Sequence, residues 1–219
     1  MKYFILLLAI GFFSLMSSAQ SKMNLRLKRQ LDSVMMLDQK YRDTLTLLMD
    51  PQKADSVAKR LNYPSTWRAS AHYSALQGRL DSSNVKFIES VFQKYGYPGK
   101  SLVDTPANET AWYIIQHSSK ISRYLPMMKK AAENGELPFR LYAMMLDRDL
   151  MNQGKEQVYG TQVTCRKLKN IKDECIVWPI KDPANVNQRR KAAGLPLTVE
   201  QNATRLGVVY RVITIEQVK

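Results

Sequence analysis

The chain has 219 residues, of which 45% are hydrophobic and 24% are charged, a balance that is typical of a globular protein. Its formal net charge of +14 raises the question of nucleic-acid binding. The basic residues are scattered in short groups and match no nucleic-acid-binding motif, so we expect no nucleic-acid partner. Attraction to anionic surfaces or acidic ligands stays open.

The N-terminal segment is typical of an export signal. A basic residue is followed by an apolar run from Tyr3 to Met16, and the small residues Ser17 and Ala19 precede a cleavage point. We predict a signal peptide over 1–19, cleavage before Gln20, and a periplasmic or secreted protein. The alternative is a membrane anchor, but a span needs roughly 18 or more apolar residues and this run is shorter. No later segment is long and apolar enough, so we expect no transmembrane segment after cleavage.

Apolar periodicity and breaker residues predict a mainly α fold, a multi-helix domain with a small disulfide-tied β-hairpin. The helices are expected over 22–49, 52–61, Asp81 or Ser82 to about Tyr95, 107–118, 120–134, 138–153, 182 to about 193, and 198–205. The tail VVYRVITI predicts a strand or an extended segment. We predict an N-terminal helical region over 20–79 that packs on a main domain over 80–219.

The two cysteines, Cys165 and Cys175, lie between flanks rich in Val, Ile, Tyr, Trp and Thr. Such flanks favour strands, so we predict a hairpin at about 158–180 that is tied by a disulfide. The competing interpretation is a metal pair. Two cysteines with no nearby histidine cannot complete a four-ligand zinc site. We therefore expect no metal, and nothing in the sequence indicates a cofactor.

Asp147 and Arg148 stand out because their helical neighbours are mostly methionine, leucine and alanine. A buried charge without a partner is costly, so each should be paired. One interpretation is a structural ion-pair network, and the other is a polar pocket. His117 allows the same two interpretations: a core histidine, or a general base that Asp147 orients.

Two further motifs carry less chemistry. The stretch 98–101 (PGKS) suggests a phosphate loop, but Lys94 stands where that motif needs a glycine. Arg189 and Arg190 point about 100° apart on a helix. One of them can therefore face solvent while the other reaches an internal carboxylate or a bound anion.

Several separate motifs occur in an order that resembles a known family. They are LDQKYRD (37–43), Asp81 with Asn84, YGYPGKSLV (95–103), AWYIIQHS (111–118), YLPMMKKAAENGE (124–136), YAMMLDRDLMNQGKEQVYGTQ (142–162) and WPIKDPANVNQRRKAAGLP (178–196). The chain resembles the bacterial domain-of-unknown-function family 6624 from about residue 30 to 197. It departs from the pattern at Asp104, where the family usually has glycine, and in the insert between the cysteines.

The resemblance implies no activity, but it implies which polar residues belong to the pattern. They are Asp38, Gln39, Arg42, Asp81, Asn84, Lys100, Ser101, Gln116, His117, Asp147, Arg148, Gln157, Tyr159, Thr161, Gln162, Asp182, Arg189 and Arg190. Many fall at helix ends or beside glycine and proline, which suits convergence on one cleft and equally suits hydrogen bonds between helices.

Three hypotheses follow. The first is a binding module that holds a polar or anionic ligand, such as a peptide or a glycan. Its candidate ligand-binding residues are Lys100, Gln116, Arg148, Gln157, Tyr159, Gln162, Arg189 and Arg190. The second is a hydrolase with His117 as the base and Asp147 as its orienting group. The third is a structural or protein-interaction domain without a ligand.

Overall fold

A computed structural model describes residues 23–165 and 174–218. The predicted signal peptide lies outside this range. The helices are α1 (Leu25–Gln39), α2 (Arg42–Met49), α3 (Ala54–Arg60), α4 (Thr66–Tyr95), α5 (Lys100–Val103), α6 (Thr110–Ile115), α7 (Ile121–Glu133), α8 (Phe139–Asn152), α9 (Val186–Ala192), α10 (Val199–Arg205) and α11 (Ile215–Val218). Short 3₁₀ helices span Ala107–Glu109 and Pro183–Asn185, and the strands are β1 (Val163–Thr164) and β2 (Ile176–Val177).

The first predicted helix is in fact two helices. The chain turns at Lys40 and Tyr41, between α1 and α2. The turn brings the Arg42 guanidinium within 2.8 Å of the Asp38 carboxylate. Apolar residues recur at helical spacing on both sides of the turn, and polar residues interrupt this spacing only at the turn. Periodicity alone therefore predicts one continuous helix, and this prediction is wrong.

Helix α4 begins fifteen residues before the predicted start at Asp81, since its first residue is Thr66. Ser65 caps it by accepting a hydrogen bond from the Arg68 N–H at 3.3 Å. Asp81 is not a cap, because its carboxylate accepts from the Arg42 and Gln77 side chains. The apolar residues of segment 66–80 are mostly alanine and aromatic, with only two leucines, so they give a weak periodic signal for a helix.

The largest core lies between α1, α4, α6, α7 and α8. Fully buried members include Leu31, Ile88, Ile115 and Met128, with exposed fractions of zero. A smaller cluster around Leu48 joins α2, α3 and the start of α4. The two clusters lie along one continuous helix, because α4 contributes to both. The predicted division of the chain at residue 80 stays a prediction.

The predicted hairpin and disulfide are confirmed, and the mainly α class with them. Strands β1 and β2 pair antiparallel, with Val163 opposite Val177, and Cys165 is bonded to Cys175. The ladder is much shorter than the predicted span. One face packs against α9 and α10, and the other packs on the C-terminal segment through Trp178.

The C-terminal segment forms no strand within the described residues. Val208 and Ile213 are buried, whereas Val209 is 88% exposed. The segment then enters the short helix α11. No helix within residues 23–165 and 174–218 has both the length and the apolarity of a membrane span.

Candidate functional site

Asp147 holds a loop rather than facing a cleft. Its side chain, on α8, has an exposed fraction of zero. The carboxylate accepts hydrogen bonds from the backbone N–H of Val158 at 2.7 Å, of Tyr159 at 3.0 Å and of Thr161 at 2.9 Å. The Thr161 hydroxyl donates a further bond at 2.9 Å. This carboxylate fixes the segment that leads into the hairpin, which we call loop 157–162.

Burial raises the pKa of Asp147, and the hydrogen bonds from the loop oppose that rise. The expected pairing of Asp147 with His117 is absent from the hydrogen bonds between described residues. Because its oxygens are already occupied by the loop, Asp147 does not orient the imidazole. The catalytic role of His117 stays a prediction without this orienting group.

Two glutamines tie loop 157–162 to itself and to the hairpin. The Gln157 amide is fully buried and donates to the carbonyls of Gln162 at 3.1 Å and Trp178 at 2.6 Å. Its oxygen accepts from the Gln162 N–H at 2.9 Å. Both ends of the Gln157 side chain are therefore used inside the protein.

The two adjacent arginines of α9 also bind backbone carbonyls. Arg189 donates to the carbonyls of Val158 at 3.0 Å and Asp182 at 2.8 Å, and its Nη1 pairs with the Asp182 carboxylate at 3.0 Å. Arg190 is 2% exposed and donates to the carbonyls of Leu197 and Tyr159, both at 2.7 Å. Through the bonds to Val158 and Tyr159, both side chains connect α9 to loop 157–162.

Arg148 links α8 to two other elements. Its Nε donates to the Gln162 side-chain oxygen at 3.2 Å, and its Nη1 donates to the Gln116 carbonyl at 3.2 Å. Gln116 thus contributes its backbone rather than its side chain. Burial lowers the pKa of Arg148 from its usual high value.

Lys100 lies apart from this group. The Lys100 N–H donates to the Glu136 carbonyl at 3.0 Å, and the Ser101 N–H donates to the Glu136 carboxylate at 2.8 Å. Gly99 is packed so closely on Glu136 that a Cβ would lie 2.2 Å from its carboxylate. The stretch that suggested a phosphate loop is occupied internally by an acidic side chain.

His117 follows α6 in a turn and is exposed. It opens into a pocket of about 330 Å³. We call this pocket the His117 cleft, and it is lined by Asp81, Ser82, Val85, Lys86, His117, Ser118, Ser119 and Lys120. His117, Lys86 and Ser119 have no side-chain hydrogen bond to other described residues, so these groups can meet a ligand.

A polar stripe on α4 borders this region through Asp81, which lines the cleft. Gln77, Asp81 and Asn84 recur at helical spacing, and Gln77 hydrogen-bonds to Asp38 beside the turn between α1 and α2 and to Asp81. Arg42 bridges the carboxylates of Asp38 at 2.8 Å and Asp81 at 2.6 Å. The Gln77 oxygen and the Asn84 amide nitrogen are buried without a hydrogen-bond partner in the described chain. The stripe therefore keeps unused hydrogen-bonding capacity on the helix that borders the cleft.

The surroundings of His117 lower its pKa. Desolvation by the neighbouring protein lowers it most, and Arg42 and Arg148 lower it further, while Asp38 and Asp81 oppose this change. The lowered pKa favours the neutral imidazole. A neutral, accessible ring can accept a hydrogen bond or a proton.

Sequence reasoning missed several residues of the cleft. Lys86, Ser119 and Lys120 have no motif, and they meet only because α4 passes the turn after α6. Gln77, Asp81 and Asn84 have the spacing of one helix face, but this spacing becomes apparent only when the helix is known to begin at Thr66. Within the described ranges, no group of three or more His, Cys, Asp or Glu side chains could hold a metal ion.

Fold and site together define a mainly helical domain with a disulfide-tied hairpin, an internally bonded polar loop and a separate polar cleft. Residues 47–211 match the family described as "Family of unknown function (DUF6624)", and the chain belongs to that family. Comparison with curated proteins gave no match, and comparison with solved structures gave none either.

Proposed function

We propose that the protein is an exported binding module that holds an acidic peptide or glycan in the His117 cleft. The observation that carries the proposal is the exposed, unbonded imidazole of His117 beside the unpaired ammonium of Lys86 in one pocket. Most of the predicted ligand-binding residues form or hydrogen-bond to loop 157–162. The His117 cleft instead has polar groups that are free to bind a ligand.

The charges of the cleft favour a ligand with a carboxylate. Asp81 is paired with Arg42 at 2.6 Å, a guanidinium that it shares with Asp38. Lys120 pairs with Glu89 at 2.6 Å. Lys86 retains a free positive charge among the described residues, and a ligand carboxylate would satisfy it. Binding would also favour protonation of the neighbouring His117.

The size of the cleft limits what enters it. Its volume of about 330 Å³ lies at the lower end of ligand pockets. The serine hydroxyls suit a ligand rich in hydrogen-bonding groups. A sugar ring with a carboxylate, or the acidic end of a peptide, fits these properties better than a large apolar molecule.

Calorimetric titration with a galacturonic-acid disaccharide and with the dipeptide Gly–Glu tests the proposal. We expect at least one to bind, and we expect His117→Gln and Lys86→Ala each to weaken binding by about tenfold, the loss of one charge-assisted contact. Lys59→Ala, an exposed lysine on α3, is the matched control and should bind as the wild type does. Equal affinity in all variants, or no binding of either probe, would contradict the proposal.

A hydrolase is the second candidate, favoured by the neutral state of His117. The same probes separate it from simple binding. Time-dependent hydrolysis by the wild type that His117→Gln abolishes would establish catalysis. Probes recovered intact after prolonged incubation would leave binding alone.

Export is supported by the disulfide, since such bonds persist in oxidising compartments. Mass spectrometry of the protein recovered from the periplasm or medium should find an N-terminus at Gln20. A mature chain that retains Met1 would contradict cleavage.

A further inference from the structure

A second pocket, distinct from the His117 cleft, lies between α8, loop 157–162, α9 and α10. Its volume is about 300 Å³. We call it the arginine pocket, and it is lined by Arg140, Met144, Thr161, Arg190, Leu195, Pro196, Leu197, Asn202 and Arg205. Three of the described lining residues are arginines, and no described lining residue carries a carboxylate.

Arg190 has hydrogen-bonding capacity left over. Its Nε and Nη1 groups donate to the Leu197 and Tyr159 carbonyls, both at 2.7 Å. Its Nη2 group donates to no described residue, although the residue is only 2% exposed. The internal bonds hold the planar group in place, so its remaining N–H groups are pre-organised for an acceptor.

The other two arginines are only weakly engaged. Arg140 makes one contact of 3.3 Å with Glu109, and its side chain is 39% exposed. Arg205 donates to the neutral side-chain oxygen of Asn202 at 3.0 Å. The nearby acids are used elsewhere, since Asp147 binds loop 157–162 and Glu200 accepts from Asn187 at 3.0 Å. Glu109 pairs with Arg140, and Asp147 and Glu200 act on Arg190 only through space, so among the described residues no carboxylate hydrogen-bonds to Arg190 or Arg205.

The arginine pocket also has an apolar surface beside these charges. Met144, Leu195, Pro196 and Leu197 give the pocket an apolar side. A bare inorganic anion would leave this surface in water. A ligand with an apolar body and an anionic end would use both halves, because apolar burial and bidentate arginine contacts add specificity together.

We propose that the arginine pocket binds a carboxylate carried on an apolar group, such as the C-terminal residue of a peptide that ends in leucine. The carboxylate contacts Arg190, Arg140 and Arg205, and the apolar side chain packs against Leu195 and Pro196. This site is separate from the His117 cleft. A peptide with an acidic segment and an apolar C-terminus would carry groups suited to both.

Calorimetric titration with N-acetyl-L-leucine tests the site directly. We expect binding with a Kd of about 1 mM or tighter, as a small ligand with one ion pair and one apolar group allows. N-acetyl-L-leucinamide lacks the charge and acetate lacks the apolar body, so each should bind about tenfold more weakly. Equal binding of the amide would overturn the role of the arginines, and equal binding of acetate would overturn that of the apolar wall.

The variants change Arg140 and Arg205, because a substitution of Arg190 would also remove its hydrogen bonds to the Leu197 and Tyr159 carbonyls. Arg140→Ala and Arg205→Ala should each weaken N-acetyl-L-leucine binding by about tenfold. Arg79→Ala, an exposed arginine on α4, is the control and should change nothing. A double variant that binds as the wild type does, or a wild type that does not bind, overturns the site. Neither result affects the His117 cleft, which contains none of these arginines.

Discussion

Asp147 shows how a charge on an apolar helix face can serve the fold alone. Its carboxylate takes the place of water as the hydrogen-bond acceptor for three backbone N–H groups and one hydroxyl at the entry to the hairpin. Arg190 does the converse and supplies N–H groups to carbonyls of the same region. The two residues together satisfy a loop that has no regular ladder of its own.

Asp147→Asn should lower the free energy of unfolding by about 3 kcal/mol, because an amide N–H₂ would face backbone donors and leave them unsatisfied. Urea denaturation followed by circular dichroism measures this. Asp43→Asn, an exposed acid on α2, is the matched control and should change stability by less than about 0.5 kcal/mol. A control-sized effect at Asp147 would mean that the loop does not depend on the carboxylate.

His117 should titrate below the usual value of about 6.5, since burial, Arg42 and Arg148 disfavour its charged form. The unfolded chain then binds this proton more readily than the folded one. The contribution of His117 to stability is complete above pH ~6.5 and is lost as pH falls through the lowered folded pKa. His117→Gln should therefore flatten the fall in stability on acidification.

NMR titration of the imidazole signals measures this pKa, and His72→Gln assigns the second histidine. In Arg42→Met the pKa of His117 should rise, because a positive neighbour is removed while Asp38 and Asp81 remain. An unchanged midpoint in this variant would show that the charges near the turn do not act on the cleft.

Helices α1, α2 and α4 are joined by polar side chains as well as by apolar packing. Arg42 lies at the turn between the first two helices and bridges Asp38 and Asp81. The Gln77 amide donates to the Asp38 carbonyl at 3.0 Å and so spans the same junction. The bridge places Asp81 against α2 and fixes the wall of the His117 cleft.

Arg42→Met should lower the free energy of unfolding by about 2–3 kcal/mol, because Asp38, only 1% exposed, would lose its ion pair. Arg42→Lys should recover less than half of this loss, since one ammonium cannot reproduce the fork that meets both carboxylates. Thermal and urea unfolding measure both variants. Full rescue by lysine would contradict the bridging geometry.

Gly160 ties the hairpin entry to α10. Its φ of +66° lies in the left-handed region, and a Cβ would come within 2.7 Å of Ile180 and Val199. Gly160→Ala should therefore destabilise the protein by more than about 1 kcal/mol, measured by urea unfolding. Gly78→Ala, in a helix with open space at the Cβ, is the control and should not destabilise.

At the scale of the whole molecule, sequence patterns predicted those elements whose formation depends on residues close together in the chain. Helices α7, α8 and α10 follow from apolar spacing and from breakers such as Gly154, and the disulfide follows from two cysteines between strand-forming flanks. The start of α4 could not be predicted in the same way. The apolar residues of its first half are mostly alanine and aromatic, and this half packs on one side against a small cluster, so its periodic signal is weak.

The site was harder to predict than the fold. The sequence predicts Asp147 to be a buried charge with a partner, and it places Gln157 and Arg190 among the candidate ligand-binding residues, but sequence spacing cannot show whether their partners are backbone or ligand. Here the partners are backbone atoms of loop 157–162. Both pockets instead depend on residues such as Lys86 and Arg205, which are brought in by elements distant in the chain.

The most direct test of the account is an amide NMR map of the protein during titration with the galacturonic-acid disaccharide and with Gly–Glu. We predict that the signals that move are those of Lys86, Ser118, Ser119 and Lys120, together with the His117 ring. Signals from loop 157–162 should stay in place, because its polar groups are already bonded. Shifts centred on that loop, with the His117 ring unmoved, would contradict the account.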